Sequence, residues 1–326
     1  DVCSFRSGAV RDVLILGDVE TPQPGPGEVR VKLRTSGVNP SDVKSREGRT
    51  RKIAFPRVIP HSDGAGDIDM VGDGVPASRV GERVWTWNGQ WKRPFGTCAE
   101  YIVLPADLAV KLPAHIGYEA GACLGIPAMT AWHAVEVSGI GKGSAVLVTG
   151  GAGGVGHYAI QFAKARGATV LTTISGDAKA DLARKAGADH CINYRTENVG
   201  DRVMAATAKK GVDAVIDMDF SSNAKFAPAI LHPRSRFVVY GNSQAEATIP
   251  SQFMLTNFIG IQYIFVYELT AQERASAVNG INKMLEGKSL INNVALTLPL
   301  AEIHAAHEAV DRKSTRLNSS HVSESR

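Results

Sequence analysis

The segment Ala145-Val-Leu-Val-Thr149 runs directly into Gly150-Gly151-Ala152-Gly153-Gly154-Val155-Gly156, and no other stretch narrows the possible folds as much. The apolar run reads as a buried strand, and Gly156 to Ala165 reads as a helix. Between them Gly151, Gly153 and Gly156 satisfy Gly-x-Gly-x-x-Gly. Alone, that spacing is an ordinary glycine-rich turn. Between strand and helix it permits a tight turn, close backbone approach to a pyrophosphate, and packing of helix on strand. The helix N-terminus adds free N–H groups and partial positive charge. Gly151, Ala152, Gly153, Gly154 and Val155 are therefore assigned to the phosphates of a dinucleotide. Thr169-Val-Leu-Thr-Thr173 completes a βαβ unit, and strands near 188–193, 212–217 and 236–240 extend it into an α/β, doubly wound parallel sheet.

The end of the second strand decides which dinucleotide. An NAD site usually places Asp or Glu there to hold the ribose hydroxyls. This chain has Ser175, with Lys179 one helical turn on and Tyr194-Arg195 after the third strand. A hydroxyl, an ammonium, a phenol and a guanidinium suit a 2′-phosphate, so the expected cofactor is NADPH. Two charge-assisted bonds at about 1.5–3 kcal/mol each amount to roughly two to four decades of preference. Asp177 works against this, and the alternative is that Lys179 and Arg195 are solvated surface charges.

At 326 residues the chain exceeds the usual size of one hydrophobic core. Residues 1–117 form short Val-rich segments broken by Gly and Pro. Glu28-Val-Arg-Val-Lys-Leu-Arg34 alternates as a half-buried strand, and Thr21-Pro-Gln-Pro-Gly-Pro-Gly27 before it reads as a turn. The α/β texture spans 118–265. Helices over Thr270–Glu286 and Leu300–Asp311 assign 266–311 to a return to the first domain. Residues 312–326 are Ser-rich without apolar periodicity, which reads as a non-native or disordered tail. Apolar residues at 44% and charged residues at 21% exclude a disordered chain. A net charge of +4 without a basic run argues against nucleic acid, and no apolar stretch is long enough to span a bilayer. Cys3, Cys98, Cys123 and Cys191 are scattered, so neither a disulfide framework nor a clustered zinc site is expected; a cytoplasmic protein fits.

Several further motifs precede the glycine loop: Ser36-Gly-Val-Asn-Pro-Ser-Asp42, Gly64-Ala-Gly66, Gly81-Glu-Arg-Val84, Gly96-Thr-Cys-Ala-Glu-Tyr-Ile-Val103 and Gly125-Ile-Pro-Ala-Met-Thr-Ala131. As an ordered series they resemble the medium-chain dehydrogenase/reductase superfamily, in its zinc-free quinone oxidoreductase (zeta-crystallin-like) branch. The resemblance covers the chain up to Asp311. It implies a GroES-like β-barrel catalytic domain, a Rossmann domain, a cofactor in the cleft between them, and a homodimer. It also sets Asn39, His61 and the neighbourhood of Ile126 against the ligands of zinc-dependent relatives, and only His61 has a ligating side chain. A catalytic zinc needs three protein ligands. Without a Lewis acid, hydride transfer to a quinone or related conjugated carbonyl is favoured over alcohol oxidation.

By the same resemblance, Asn39 and Asp42 lie on the floor of the cleft and Thr130 approaches the nicotinamide. Gly241 and Asn242 bring backbone to the nicotinamide side. The Asn39 amide is expected to donate to the substrate oxygen; Asp42 either works beside it or caps a local helix. The run Asn257–Tyr267 is either an edge strand that pairs two subunits or a buried central strand. Relatives end on a further strand where this chain continues as Arg312-Lys-Ser-Thr315, which implies a less stable protein. Two other functions stay open: a 2-alkenal, enone or enoyl-thioester reductase, and a non-catalytic NADPH-binding protein of crystallin-like or RNA-binding type.

Overall fold

The alternation at residues 28–34 becomes the central strand of an antiparallel sheet. The computed structural model describes residues 2–4, 6–49, 54–311 and 320–322. It divides into two units, Asp1–Pro127 with Asn282–Arg326, and Ala128–Ile281. These divisions fall later than the boundaries at 117 and 265 read from the sequence. The reason is that the helices Gly125–Ser138 and Ala271–Glu286 each run across a division, where a change of texture marks no break.

In the first unit a short antiparallel pair, β1 (Val2–Cys3) and β2 (Ile15–Leu16), precedes the main sheet. That sheet contains β3 (Glu28–Gly37), β4 (Asp63–Val71), β5 (Arg83–Thr86), β6 (Tyr101–Pro105) and β7 (Ala109–Lys111). β3, β4, β5 and β7 follow one another in space, and β6 pairs with the start of β3. Val29, Val31 and Leu33 point to one face and pack with Ile68, Val84, Ile102 and Leu104. A second core joins Val13, Leu14, Val38, Val43, Ile59 and Cys98 to Ile303 and Ala306 of the helix Ile303–Asp311. That packing is what returns the end of the chain to the first unit.

The second unit is a six-stranded parallel sheet of β8 (Ala145–Val148), β9 (Thr169–Ile174), β10 (His190–Asn193), β11 (Val212–Asp217), β12 (Leu231–Val239) and β13 (Gly260–Tyr263). Its order, β10-β9-β8-β11-β12-β13, reverses between β8 and β11, which is the doubly wound pattern expected. β12 starts earlier than the Arg236 read from sequence: Pro233 and the left-handed Arg234 (φ 69°) hide its first half from a periodicity argument. The run Asn257–Tyr267 supplies the edge strand β13 and a turn over Val266–Glu268, and is not a central strand. Of the tail, only Ser320–Val322 is described, as β14, antiparallel to Thr35–Gly37 of β3; the remaining residues of 312–326 lie outside the described residues. Among the described residues no helix is long and apolar enough to cross a membrane.

Candidate active site

β3 ends at Gly37, and two residues later Asn39 caps the helix Pro40–Arg46, with Pro40 at the first helical position. The Asn39 N–H donates to Asp42 Oδ2 at 2.7 Å. Asp42 therefore provides the third-residue half of a capping box, the structural one of the two readings its position allowed. The Asn39 side chain also reaches outside the helix, where its Nδ2 donates to Asp63 Oδ2 at 2.7 Å. The N–H of Ile126 reaches both Asp63 oxygens, at 2.9 and 3.0 Å.

Asp63 is 0% exposed. Burial pushes its carboxyl well above the usual range; the bonds from Asn39 and Ile126 pull the other way, and the nearby Asp42 adds to the rise. Glycines make room for it. A Cβ on Gly125 would stand 2.1 Å from Asp63 Oδ1, and one on Gly37 would stand 2.3 Å from the Ala122 carbonyl oxygen. Sequence reasoning missed Asp63, because its bonding partners lie 24 and 63 positions away.

His61, grouped with Asn39 and Ile126 in the sequence reading, faces elsewhere. It adopts φ 76° and is 1% exposed. Thr97 Oγ1 donates to the Asp63 carbonyl at 2.6 Å, so at 2.9 Å it accepts from Ser36 Oγ. Ser36 in turn accepts from His61 Nδ1 at 2.9 Å, which leaves a neutral His61 to accept at Nε2 from His307 Nε2, 2.8 Å away. One backbone carbonyl thus sets the direction of the whole chain of bonds. The residues do not make a zinc set: both Asp63 oxygens are taken by N–H donors, and Ile126 offers only an alkyl side chain. Among the described residues no three His, Cys, Asp or Glu side chains are grouped to hold a metal.

In the second unit the glycine loop follows β8. A Cβ on Gly151 would meet Thr172 Oγ1 at 2.1 Å, and one on Gly156 would meet the Gly150 carbonyl oxygen at 2.4 Å. Both glycines are demanded by the fold itself. The helix Gly154–Ala165 starts two residues before the reading from sequence, and its cap, Gly153, has no side chain to fill the first-turn N–H groups. That open cradle fits a pyrophosphate.

Ser175 follows β9, and Lys179 Nζ lies 3.0 Å from its Oγ. Tyr194 is half exposed; its N–H bonds to the Ile174 carbonyl at 3.1 Å, and the Arg195 N–H bonds to Asn193 Oδ1 at 3.1 Å. Ser175, Lys179, Tyr194 and Arg195 are thereby gathered at the neighbouring ends of β9 and β10. Beyond β12, a Cβ on Gly241 would stand 2.4 Å from the Met218 carbonyl oxygen, and Asn242 Oδ1 accepts from the Ser221 N–H at 3.2 Å. Thr130 is buried on the helix Gly125–Ser138, in the second unit.

Residues 25–114 match the alcohol dehydrogenase GroES-like domain, and residues 154–282 match the zinc-binding dehydrogenase family. The quinone oxidoreductase of Rattus norvegicus is 30% identical over 317 residues, which cover 96% of this chain and 94% of the rat protein. The chain belongs to the medium-chain dehydrogenase/reductase superfamily. It is an oxidoreductase built, as expected, from a GroES-like unit and a Rossmann unit. The 2-haloacrylate reductase of Burkholderia sp is 29% identical, with 93% of each chain covered. Among solved structures, the Escherichia coli quinone oxidoreductase complexed with NADPH superposes with a TM-score of 0.85 at 26% identity, covering 98% of this dehydrogenase/reductase and 99% of that chain.

Proposed function

We propose that this oxidoreductase transfers hydride from NADPH to a quinone or related conjugated carbonyl, without zinc, in the cytoplasm. The observation that carries this reading is the Asn39 amide, held by the buried Asp63 carboxyl, which also accepts from the Ile126 N–H. NADPH supplies the hydride, from C4 of its dihydronicotinamide. The protein's part is to hold the dinucleotide, orient the acceptor and stabilise charge on the acceptor oxygen.

Gly151, Ala152, Gly153, Gly154 and Val155 cradle the pyrophosphate. Ser175, Lys179, Tyr194 and Arg195 take the 2′-phosphate, and the short Lys179–Ser175 contact supports that grouping. Gly241, Asn242 and Thr130 serve the nicotinamide side. One Asn39 amide hydrogen is committed to Asp63, and the second donates to the acceptor oxygen as negative charge develops there. Asp42 maintains the capped helix on which Asn39 sits. Asn39→Ala is expected to lower kcat by about two to three decades, as loss of an oxyanion donor does, with little change in the dissociation constant of NADPH. Unchanged kcat would remove Asn39 from the reaction.

A second reading, reduction of an activated alkene, draws support from the likeness to the Burkholderia 2-haloacrylate reductase. It differs in needing a proton donor for the alkene carbon. The molecule works as a homodimer paired through β13, where Tyr263 is exposed, with the exposed Phe258 just before the strand.

A further inference from the structure

The strand order of the Rossmann sheet fixes which half of a dinucleotide lies over which strands. The pyrophosphate cradle opens the helix that follows β8. Ser175, Lys179 and Tyr194 stand on one side of it, at the ends of β9 and β10. The nicotinamide half then lies on the other side, over the ends of β11 and β12, roughly 5 and 10 Å across at ordinary strand spacing.

Two acids occupy that side. Asp217, at the end of β11, is 0% exposed; its Oδ1 accepts from Thr149 Oγ1 and Asn223 Nδ2, each at 2.8 Å, and from the Asp219 N–H at 3.2 Å. Its Oδ2 is buried without a hydrogen-bond partner, as suits a neutral carboxyl, and burial pushes its pKa up. Asp219 is the opposite case. Its Oδ1 accepts from Ser221 Oγ at 2.7 Å, from Ser243 Oγ at 2.8 Å and from the Ser243 N–H at 2.9 Å. Burial raises its pKa, but bonds from Ser221, Ser222 and Ser243 outweigh that and hold it below the usual carboxylate range. The side chain is partly open to solvent at the carboxyl edge of the sheet, where ligands of doubly wound folds bind.

The nicotinamide ring is cationic when oxidised and neutral when reduced, so a fixed anion beside it distinguishes the two. We propose that the Asp219 carboxylate senses the redox state of the bound dinucleotide, favouring NADP⁺ over NADPH and so easing departure of hydride. The proposal rests on the NADPH reading above. It gives Asp219 a role apart from joining the loops after β11 and β12, and charge separates the two roles.

The test titrates the purified protein and its variants with NADP⁺ and with NADPH, without acceptor, and compares the two dissociation constants. Asp219→Asn keeps the shape of the side chain and removes its charge. It is expected to weaken NADP⁺ about tenfold, as loss of a partly screened charge pair implies, and NADPH less than about twofold. Asp219→Glu keeps the charge and should keep the wild-type ratio. Ser243→Ala loosens the loop and leaves the anion, and should shift both constants alike. Equal weakening of both cofactors by Asp219→Asn would show only a clamp and would overturn the proposal, as would an unchanged ratio. Failure of the wild type to bind either form would overturn the dinucleotide reading and this proposal with it.

Discussion

His157 follows the last glycine of the phosphate loop and is 1% exposed, with its Nδ1 accepting from Gln161 Nε2 at 3.1 Å. Burial lowers its pKa to about 4. Between the ordinary value near 6.5 and that value, the unfolded chain binds a proton that the folded one refuses. Stability contributed by this residue is therefore complete above about pH 6.5 and is lost as pH falls towards 4, by on the order of 3 kcal/mol in all. Urea midpoints for the wild type and His157→Gln between pH 7 and 4 should show the mutant declining less steeply; parallel declines would contradict the assignment. At this scale Gly156 was legible because its demand is local, a clash with the Gly150 carbonyl of the same loop, whereas the clash that Gly151 avoids is with Thr172 on the next strand. Asp63 and Asp219 were not legible. Each takes its role from groups that only the fold brings to it: Asn39 and Ile126 for the first, Ser243 for the second.

Helix packing in the second unit turns on Gly280 in the helix Ala271–Glu286. A Cβ there would stand 2.0 Å from the Trp132 ring, which also donates through Nε1 to Ser276 Oγ at 3.2 Å. On an isolated helix Gly→Ala gains about 1 kcal/mol. Here overpacking against the half-buried Trp132 indole should reverse the sign, and Gly280→Ala is expected to lose about 1–3 kcal/mol in chemical denaturation. A stabilised variant would mean that the helices separate at little cost. The edge strand makes a second prediction. With β13 at the end of the sheet, Phe258 67% exposed and Tyr263 57% exposed, Phe258→Lys with Tyr263→Lys should convert a dimer to a monomer in light scattering, with most of the melting temperature of the parallel sheet retained. A dimer that persists would place the subunit contact elsewhere. Strand identity was readable where apolar residues ran unbroken, as at β8. It failed at the start of β12, where Pro233 and Arg234 fall in a register shift between the pairs Val212–Leu231 and Ala214–Arg236.

Across the whole molecule, the order of short motifs along the chain said more than any one of them. Two textures, antiparallel then alternating, led to two units; of the two helices read as returning to the first unit, only Ile303–Asp311 packs there, through Ile303 and Ala306, while most of Ala271–Glu286 belongs to the second. The divisions themselves were not legible, since continuous helices carry the chain across both of them. The reaction proposed for this oxidoreductase is hydride transfer from NADPH to an electrophilic carbonyl acceptor, assisted by an amide and not by a metal. Its most direct test is steady-state cofactor oxidation with ortho- and para-quinones, a 2-alkenal, an enone and no acceptor, using NADPH and NADH, before and after dialysis against a chelator. Turnover of quinones should be unaffected by the chelator and faster with NADPH by about a hundredfold or more, the lower end of what two charge-assisted phosphate contacts supply. Turnover confined to the alkenes, or lost on chelation and restored by zinc, would contradict the proposed reaction.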